Sequence, residues 1–166
     1  MSERVMEGGC ACGQTRYRVT GEPVFVNDCY CTLCQRQTGS TSAINAFFEA
    51  EAFALTAGEV SRHAVPAGSG GDHVISRCSA CGTALWSRYP GLEQGVGIRV
   101  GTLDEPGAVR PDACVFTASR MPWVTLPEGI PHFETYYKPS KLLPPERFAR
   151  LMAMVQGQAD QQGKPA

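Results

Sequence analysis

Seven of the chain's eight cysteines fall in three short clusters: Cys10 and Cys12, then Cys29, Cys31 and Cys34, then Cys78 and Cys81. Spacings of C-x-C and C-x-x-C put two thiolates on one tight turn, the arrangement in which a soft divalent metal finds its ligands. Such clusters constrain the fold strongly, because a metal draws segments that are distant in the chain to a single point. Two pairs and one triplet make an odd total. The count predicts one closed four-thiolate site and a second site with three protein ligands and an open fourth position.

The flanking residues suggest which cysteines belong together. Cys10/Cys12 and Cys78/Cys81 each have turn glycines beside them, Gly8, Gly9 and Gly13 for the first and Gly82 for the second. Joined, Cys10, Cys12, Cys78 and Cys81 form a structural zinc site that ties the start of the chain to its middle, so that metal binding there is folding energy. The triplet Cys29-Tyr30-Cys31-Thr32-Leu33-Cys34 reads as a single loop whose three thiols reach one metal. Two completions stay open at this stage. One is a second structural zinc finished by Cys114 or a histidine, and the other is a site open to a water or a substrate thiol. Cys114 lies in an apolar run (Ala113, Val115, Phe116) and reads as a buried free thiol. The three histidines, His63, His73 and His132, show no ligand spacing.

A disulfide framework is the rival use of these cysteines. It is disfavoured because C-x-C is poor geometry for bridging its own two members, and because Met1 to Gly9 lacks the apolar run of a secretory signal. The expected setting is a cytoplasm that keeps thiols reduced. The formal net charge of −1, with acidic and basic residues interspersed, leaves no electrostatic footprint for nucleic acid or an anionic membrane. No stretch approaches the length of a membrane span.

Eighteen glycines and twelve prolines in 166 residues point to short strands and turns rather than long helices. The fold expected is mainly β, a body over residues 1–140 followed by a C-terminal helix and frayed tail over 141–166. Gln14–Thr20 alternates Thr15, Tyr17 and Val19 against Gln14, Arg16 and Arg18, the pattern of a half-buried strand. Further strands are expected over Val24–Asp28, Ser42–Phe48, Glu59–Val65, His73–Arg77, Thr83–Tyr89, Gly95–Val100 and Ala113–Thr117. Pro66–Gly71 reads as a hairpin loop, and Glu49–Leu55 fits a helical turn or a strand end. Trp123, in the proline-punctuated loop Pro122–Phe133, reads first as a core anchor and second as a pocket wall. Pro144 and Pro145 start a helix whose stripe is Phe148, Leu151, Met152 and Val155. The tail from Gln156 to Ala166 reads as frayed.

Several of these segments resemble a known family. Gly8-Gly9-Cys10-Ala11-Cys12-Gly13 with Arg16-Tyr17, the triplet followed by Thr38-Gly39-Ser40, and Cys78-Ser79-Ala80-Cys81-Gly82-Thr83 are similar to the signatures of the glutathione-dependent formaldehyde-activating enzymes. Val100–Asp104, Ser119–Trp123 and Gly129–Pro131 also resemble that family's later segments. The resemblance implies a β-tent fold, a structural zinc on Cys10, Cys12, Cys78 and Cys81, and a second, catalytic zinc at Cys29, Cys31 and Cys34. It further implies carbon–sulfur lyase chemistry on a thiol adduct, with glutathione as the small-molecule partner and formaldehyde as the carbon electrophile. Tyr30 departs from the family, standing where members often carry histidine.

On the residues alone, a zinc at the triplet lowers the pKa of a bound thiol or water. Arg36, Thr38 and Ser40 are the nearby candidates for binding a carboxylate or a developing alkoxide. The alternatives are a non-catalytic two-zinc β-tent binding module, a thiol- or metal-buffering protein, and a zinc-ribbon nucleic-acid binder, which the charge balance disfavours.

Overall fold

A computed structural model describes residues 3–67 and 70–156. The chain is mainly β, with two sheets. The strands are β1 (Val5–Gly9), β2 (Arg16–Thr20), β3 (Phe25–Cys29), β4 (Ala43–Glu49), β5 (Phe53–Ala57), β6 (Val60–Pro66), β7 (Asp72–Cys78), β8 (Ala84–Arg88), β9 (Gly95–Arg99) and β10 (Ala113–Val115). The smaller sheet runs β1-β2-β5, and the larger runs β10-β3-β4-β9-β8-β7-β6. Neighbours in the larger sheet are antiparallel except β10, which lies parallel to β3 with Cys114 opposite Asp28.

The alternation at Thr15, Tyr17 and Val19 explains why the sheets stack. All three are at most 1% exposed. Tyr17 and Val19 join Met6 from the small sheet with Val26, Phe48, Leu85, Trp86, Val96 and Ile98 from the large one in one apolar cluster. Two sheets whose inner faces interdigitate in this way bury a shared core that neither could form alone.

A second cluster covers Phe25 and Phe47, whose rings stack at 4.1 Å, with Leu143, Leu151 and Met154. The helices there are α2 (Pro139–Leu142) and α3 (Pro145–Gln156), which follow α1 (Thr32–Thr38) in chain order. Ion pairs Arg147–Asp112 and Arg150–Glu49 pin α3 to the body. The expected apolar stripe is corrected at one position. Met154, 1% exposed, is the buried methionine, and Met152 lies beside an apolar cavity. From Leu151 the step of three residues brings Met154 under the same face.

Most expected strands are present within a residue or two. Glu49–Leu55 is both things its sequence allowed, a 3₁₀ turn at Ala50–Ala52 and then β5. Strand β1 was not expected, since Gly8 and Gly9 weaken a strand signal. Gly8 is required there: a Cβ would sit 2.5 Å from the Tyr17 hydroxyl and from the Thr102 carbonyl oxygen. Residues 68–69 of the expected Pro66–Gly71 loop, and the expected frayed tail beyond Gln156, lie outside the described residues. Trp123 is not a core anchor. It is 72% exposed, because its loop 120–130 lies outside the sheets, and it walls an open cavity with Met121, Arg36 and Ser40.

Candidate functional site

The two cysteine pairs form matching knuckles. In the first, the Cys10 N–H donates to the Thr15 carbonyl at 3.0 Å and the Gly13 N–H to the Cys10 carbonyl at 3.0 Å. In the second, the Cys78 N–H donates to Thr83 at 3.0 Å and the Gly82 N–H to Cys78 at 2.9 Å. Gly13 (φ +80°) and Gly82 (φ +75°) take the left-handed conformation that closes each turn. The β5–β6 turn braces both. The Glu59 carbonyl accepts from the Thr15 hydroxyl at 3.2 Å and from the Ser79 N–H at 3.1 Å. Across the gap, the Ala11 N–H donates to the Thr83 hydroxyl at 3.3 Å.

The knuckles bring the thiols of Cys10, Cys12, Cys78 and Cys81 within 4.8 Å of one another, so that they could hold a metal ion. Cys10 and Cys12 Sγ are 3.4 Å apart, and Cys12 and Cys78 Sγ 3.9 Å. The donor set suits zinc, since four soft ligands from two turns can surround one ion. Electrostatics agrees. Thr83, through its hydroxyl and its N–H, holds the Cys81 thiol down at about 5. Burial pushes Cys10 up, but the Thr15 N–H and the neighbouring thiols outweigh it and hold Cys10 at about 7. The Gln14 N–H favours the Cys12 thiolate, yet crowding by Cys10 pushes that thiol up to about 12. Four thiols this close do not all ionise unless a cation joins them.

The triplet is assembled differently from the single loop its sequence suggests. Cys29 ends β3, Cys31 is the N-cap of α1, and Cys34 lies on the first turn of the helix. Cys31 takes an N-cap conformation (φ −64°, ψ 152°), and its sulfur accepts the Cys34 N–H at 3.4 Å. The Cys31 carbonyl accepts from the Gln35 N–H at 3.1 Å. At the other end Gly39 (φ 62°) closes the helix with its N–H on the Gln35 carbonyl at 2.8 Å. The seven-residue helix was missed because ligand spacing dominates its sequence, and two threonines and a cysteine are weak helix formers.

These three thiols also lie within 4.8 Å of one another, and the group they form, among the described residues, includes neither Cys114 nor a histidine. Cys114 is 0% exposed and packs in the sheet interior. His63 and His132 stand apart. Cys29 and Cys34 sit in an apolar cluster with Ala43, Ala113, Val115 and Tyr137, flanked by Phe116 and Phe133. Donation from Cys29 and Cys34 pulls the Cys31 thiol down to about 2. Cys34 receives a favourable contact from Cys29, but the Cys31 thiolate and burial push it up to about 11. One thiolate is thus stable alone, and three require a cation.

Tyr30 is drawn into the sheet. Its hydroxyl donates to Asp28 Oδ2 at 2.8 Å, and its N–H donates to the Val115 carbonyl at 2.9 Å. Thr38, a candidate for substrate binding, spends its hydroxyl on the Cys34 carbonyl at 2.9 Å. The sequence reading missed Gln37 and Arg99. Arg99, 4% exposed, donates to Asn45 Oδ1, to Gln37 Oε1 at 2.5 Å, to Ser87 Oγ at 3.0 Å and to Tyr89 at 3.3 Å. Gln37 also faces His73 Nδ1 at 3.3 Å, and His73 stacks on Tyr89 at 4.1 Å. Nothing in the local run GVGIRV signals that four partners from three other segments converge on its arginine.

Comparison with known proteins bears on this arrangement. Residues 5–119 match the profile of the family described as glutathione-dependent formaldehyde-activating enzyme. A protein of Halomonas elongata named "Putative glutathione-dependent formaldehyde-activating enzyme" is 33% identical over 98 residues, covering 53% of this chain and 60% of that relative's length. A Rhodobacter sphaeroides protein of known crystal structure is 23% identical, with a TM-score of 0.48 over 64% of this chain and 92% of that one. The family profile spans both knuckles, the triplet and both sheets, and the chain belongs to the glutathione-dependent formaldehyde-activating enzyme family.

Proposed function

We propose that this protein is a zinc-dependent carbon–sulfur lyase-type enzyme that makes or breaks the bond between a small thiol and an aldehyde carbon. Glutathione and formaldehyde are the pair the family description suggests. The observation that carries the reading is the triplet, three clustered thiols with no fourth protein ligand grouped with them among the described residues. A zinc held by Cys29, Cys31 and Cys34 would supply Lewis acidity to a thiol in the position those ligands leave open.

The chain's own residues do the rest. Cys31, stable as a thiolate, and the α1 N-cap geometry fix the ligand set before substrate arrives. Phe116, Phe133 and Tyr137 wall the triplet with apolar surface, which restricts water around a reacting thiol. In the forward direction the substrate sulfur forms a bond to the aldehyde carbon while the carbonyl oxygen gains the thiol's proton. In the reverse direction the carbon–sulfur bond breaks and the proton returns. Cys10, Cys12, Cys78 and Cys81 hold the structural zinc and take no part in the reaction.

The test is metal stoichiometry and the cobalt-substituted absorption spectrum, each with and without glutathione. Two metals per chain, and a cobalt spectrum that shifts on adding glutathione in the wild type but not in Cys29→Ser, support the reading. Two metals with a spectrum indifferent to any thiol overturn it and favour the purely structural two-zinc module.

A further inference from the structure

A cavity of about 560 Å³ lies between the C-terminal end of α1 and the second knuckle, and its charge is one-sided. Its wall runs from the end of α1 (Gln37, Thr38, Ser40) to the second knuckle (Cys81, Gly82, Thr83), with Arg77 and Arg99 among its lining residues. Among the described residues, no aspartate or glutamate lines it. The described ion pairs of this chain use Arg4, Arg16, Arg147 and Arg150. Among the described residues, Arg77 and Arg99 hold only neutral acceptors. Arg77 donates to the Gly82 carbonyl at 3.0 Å and the Gln37 carbonyl at 3.2 Å. Arg99 has neutral oxygens for its terminal nitrogens, and its buried Nε has no partner among the described residues.

Two guanidinium groups in one partly desolvated cleft, with no carboxylate among its lining residues, attract an anion. The planar fork of arginine suits a carboxylate in particular. Gln37 connects this cleft to the metal-binding triplet. Its carbonyl holds Arg77, its side chain holds Arg99, and it stands three residues beyond Cys34 on α1. Residues three apart on a helix are neighbours, about 5–6 Å between Cβ atoms. Gln37, which holds both arginines, therefore sits about one helical turn from a triplet ligand.

We propose that this cleft is the recognition site for a carboxylate of the thiol substrate, with Arg77 the accessible contact and Arg99 the buried charge behind it. The substrate class is then a carboxylate-bearing thiol, such as a short thiol peptide, rather than any small thiol. This inference rests on the thiol-adduct reading above.

The experiment titrates zinc-loaded wild-type, Arg77→Gln and Ser40→Asp proteins by calorimetry with glutathione, cysteamine and S-methylglutathione, and follows the cobalt spectrum in parallel. Cysteamine is a thiol without a carboxylate, and S-methylglutathione carries the carboxylates with its sulfur capped. The wild type is expected to bind glutathione at least tenfold more tightly than cysteamine. Each variant is expected to weaken glutathione about tenfold and leave cysteamine unchanged. S-methylglutathione should bind the wild type without shifting the cobalt spectrum and fail to bind the variants. Ser40→Asp adds a carboxylate at the exposed rim and leaves the Arg77 hydrogen bonds in place, so it carries the test if Arg77→Gln disturbs the knuckle. Glutathione affinity unchanged in the folded variants, while thiols still shift the cobalt spectrum, overturns the cleft and spares the thiol reading. Variant-sensitive S-methylglutathione binding, in a protein whose cobalt spectrum answers to no thiol, does the reverse.

Discussion

Single residues decide whether the knuckles form. Gly58 has φ +77°, and a Cβ there would lie 2.3 Å from the Gln14 carbonyl oxygen and 2.8 Å from the Thr15 Cα. Both contacts are backbone of the first knuckle, so neither can swing aside. Gly58→Ala is expected to destabilise by about 2 kcal/mol or more, measured as a lower denaturation midpoint with reduced metal content. His73 makes a pH prediction. Burial, reinforced by the nearby Arg99 charge, holds its ring neutral down to about 4, against 6.5 when unfolded. Between these values the unfolded chain binds the extra proton, so His73's contribution is intact above about pH 6.5 and is lost as pH falls toward 4. The slope is about 1.4 kcal/mol per unit at most. His73→Phe, which keeps a ring on Tyr89, should flatten the stability profile over that interval relative to wild type, and equal slopes would refute the assignment. At this scale the cysteines were legible from spacing alone. Arg99, Gln37 and His73 were not, because their chemistry depends on partners that only the folded sheet brings close.

At the scale of elements, α1 is the piece on which the site depends and the one the sequence concealed. Strands were legible where alternation ran long enough, as at Thr15, Tyr17 and Val19, all buried as expected. A seven-residue helix carries less than two turns of pattern, and Cys31 was readable as a ligand but not as a cap. The helix is held from both ends. Gln35 Nε2 donates to the Tyr30 carbonyl at 2.7 Å and the Ser119 carbonyl at 2.9 Å, and Gln37 binds the arginine that reaches β4 and β8. Arg99→Met removes that tie, strands the Asn45 and Ser87 acceptors inside the sheet and releases Gln37. A loss of about 3 kcal/mol is expected in equilibrium unfolding. The cobalt spectrum of the triplet should change as well, because α1 carries Cys34. An unchanged spectrum would show that α1 is positioned without Arg99.

For the whole molecule, a metal held at the knuckles would join the two sheets at one edge, since the first pair follows β1 and the second starts at the end of β7. Stripping metal with a strong chelator should lower the melting temperature and broaden the transition, and Cys81→Ser should reproduce this without chelator. Cys29→Ser should leave the transition nearly in place, because the triplet lies in its own satellite cluster. Equal melting of the two variants would contradict the division into structural and reactive sites. The shared Glu59 carbonyl adds a constraint in time. Cys12 and Cys78 are 66 positions apart, and the oxygen that positions both knuckles lies between them on the β5–β6 turn, which passes from one sheet to the other. The second knuckle ends β7, so β6 and β7 must pair before Ser79 can meet that oxygen. A zinc ion taken up by all four thiols of a refolding chain would therefore be captured after β6 and β7 have paired, and its uptake is expected to follow the formation of that hairpin rather than to start folding.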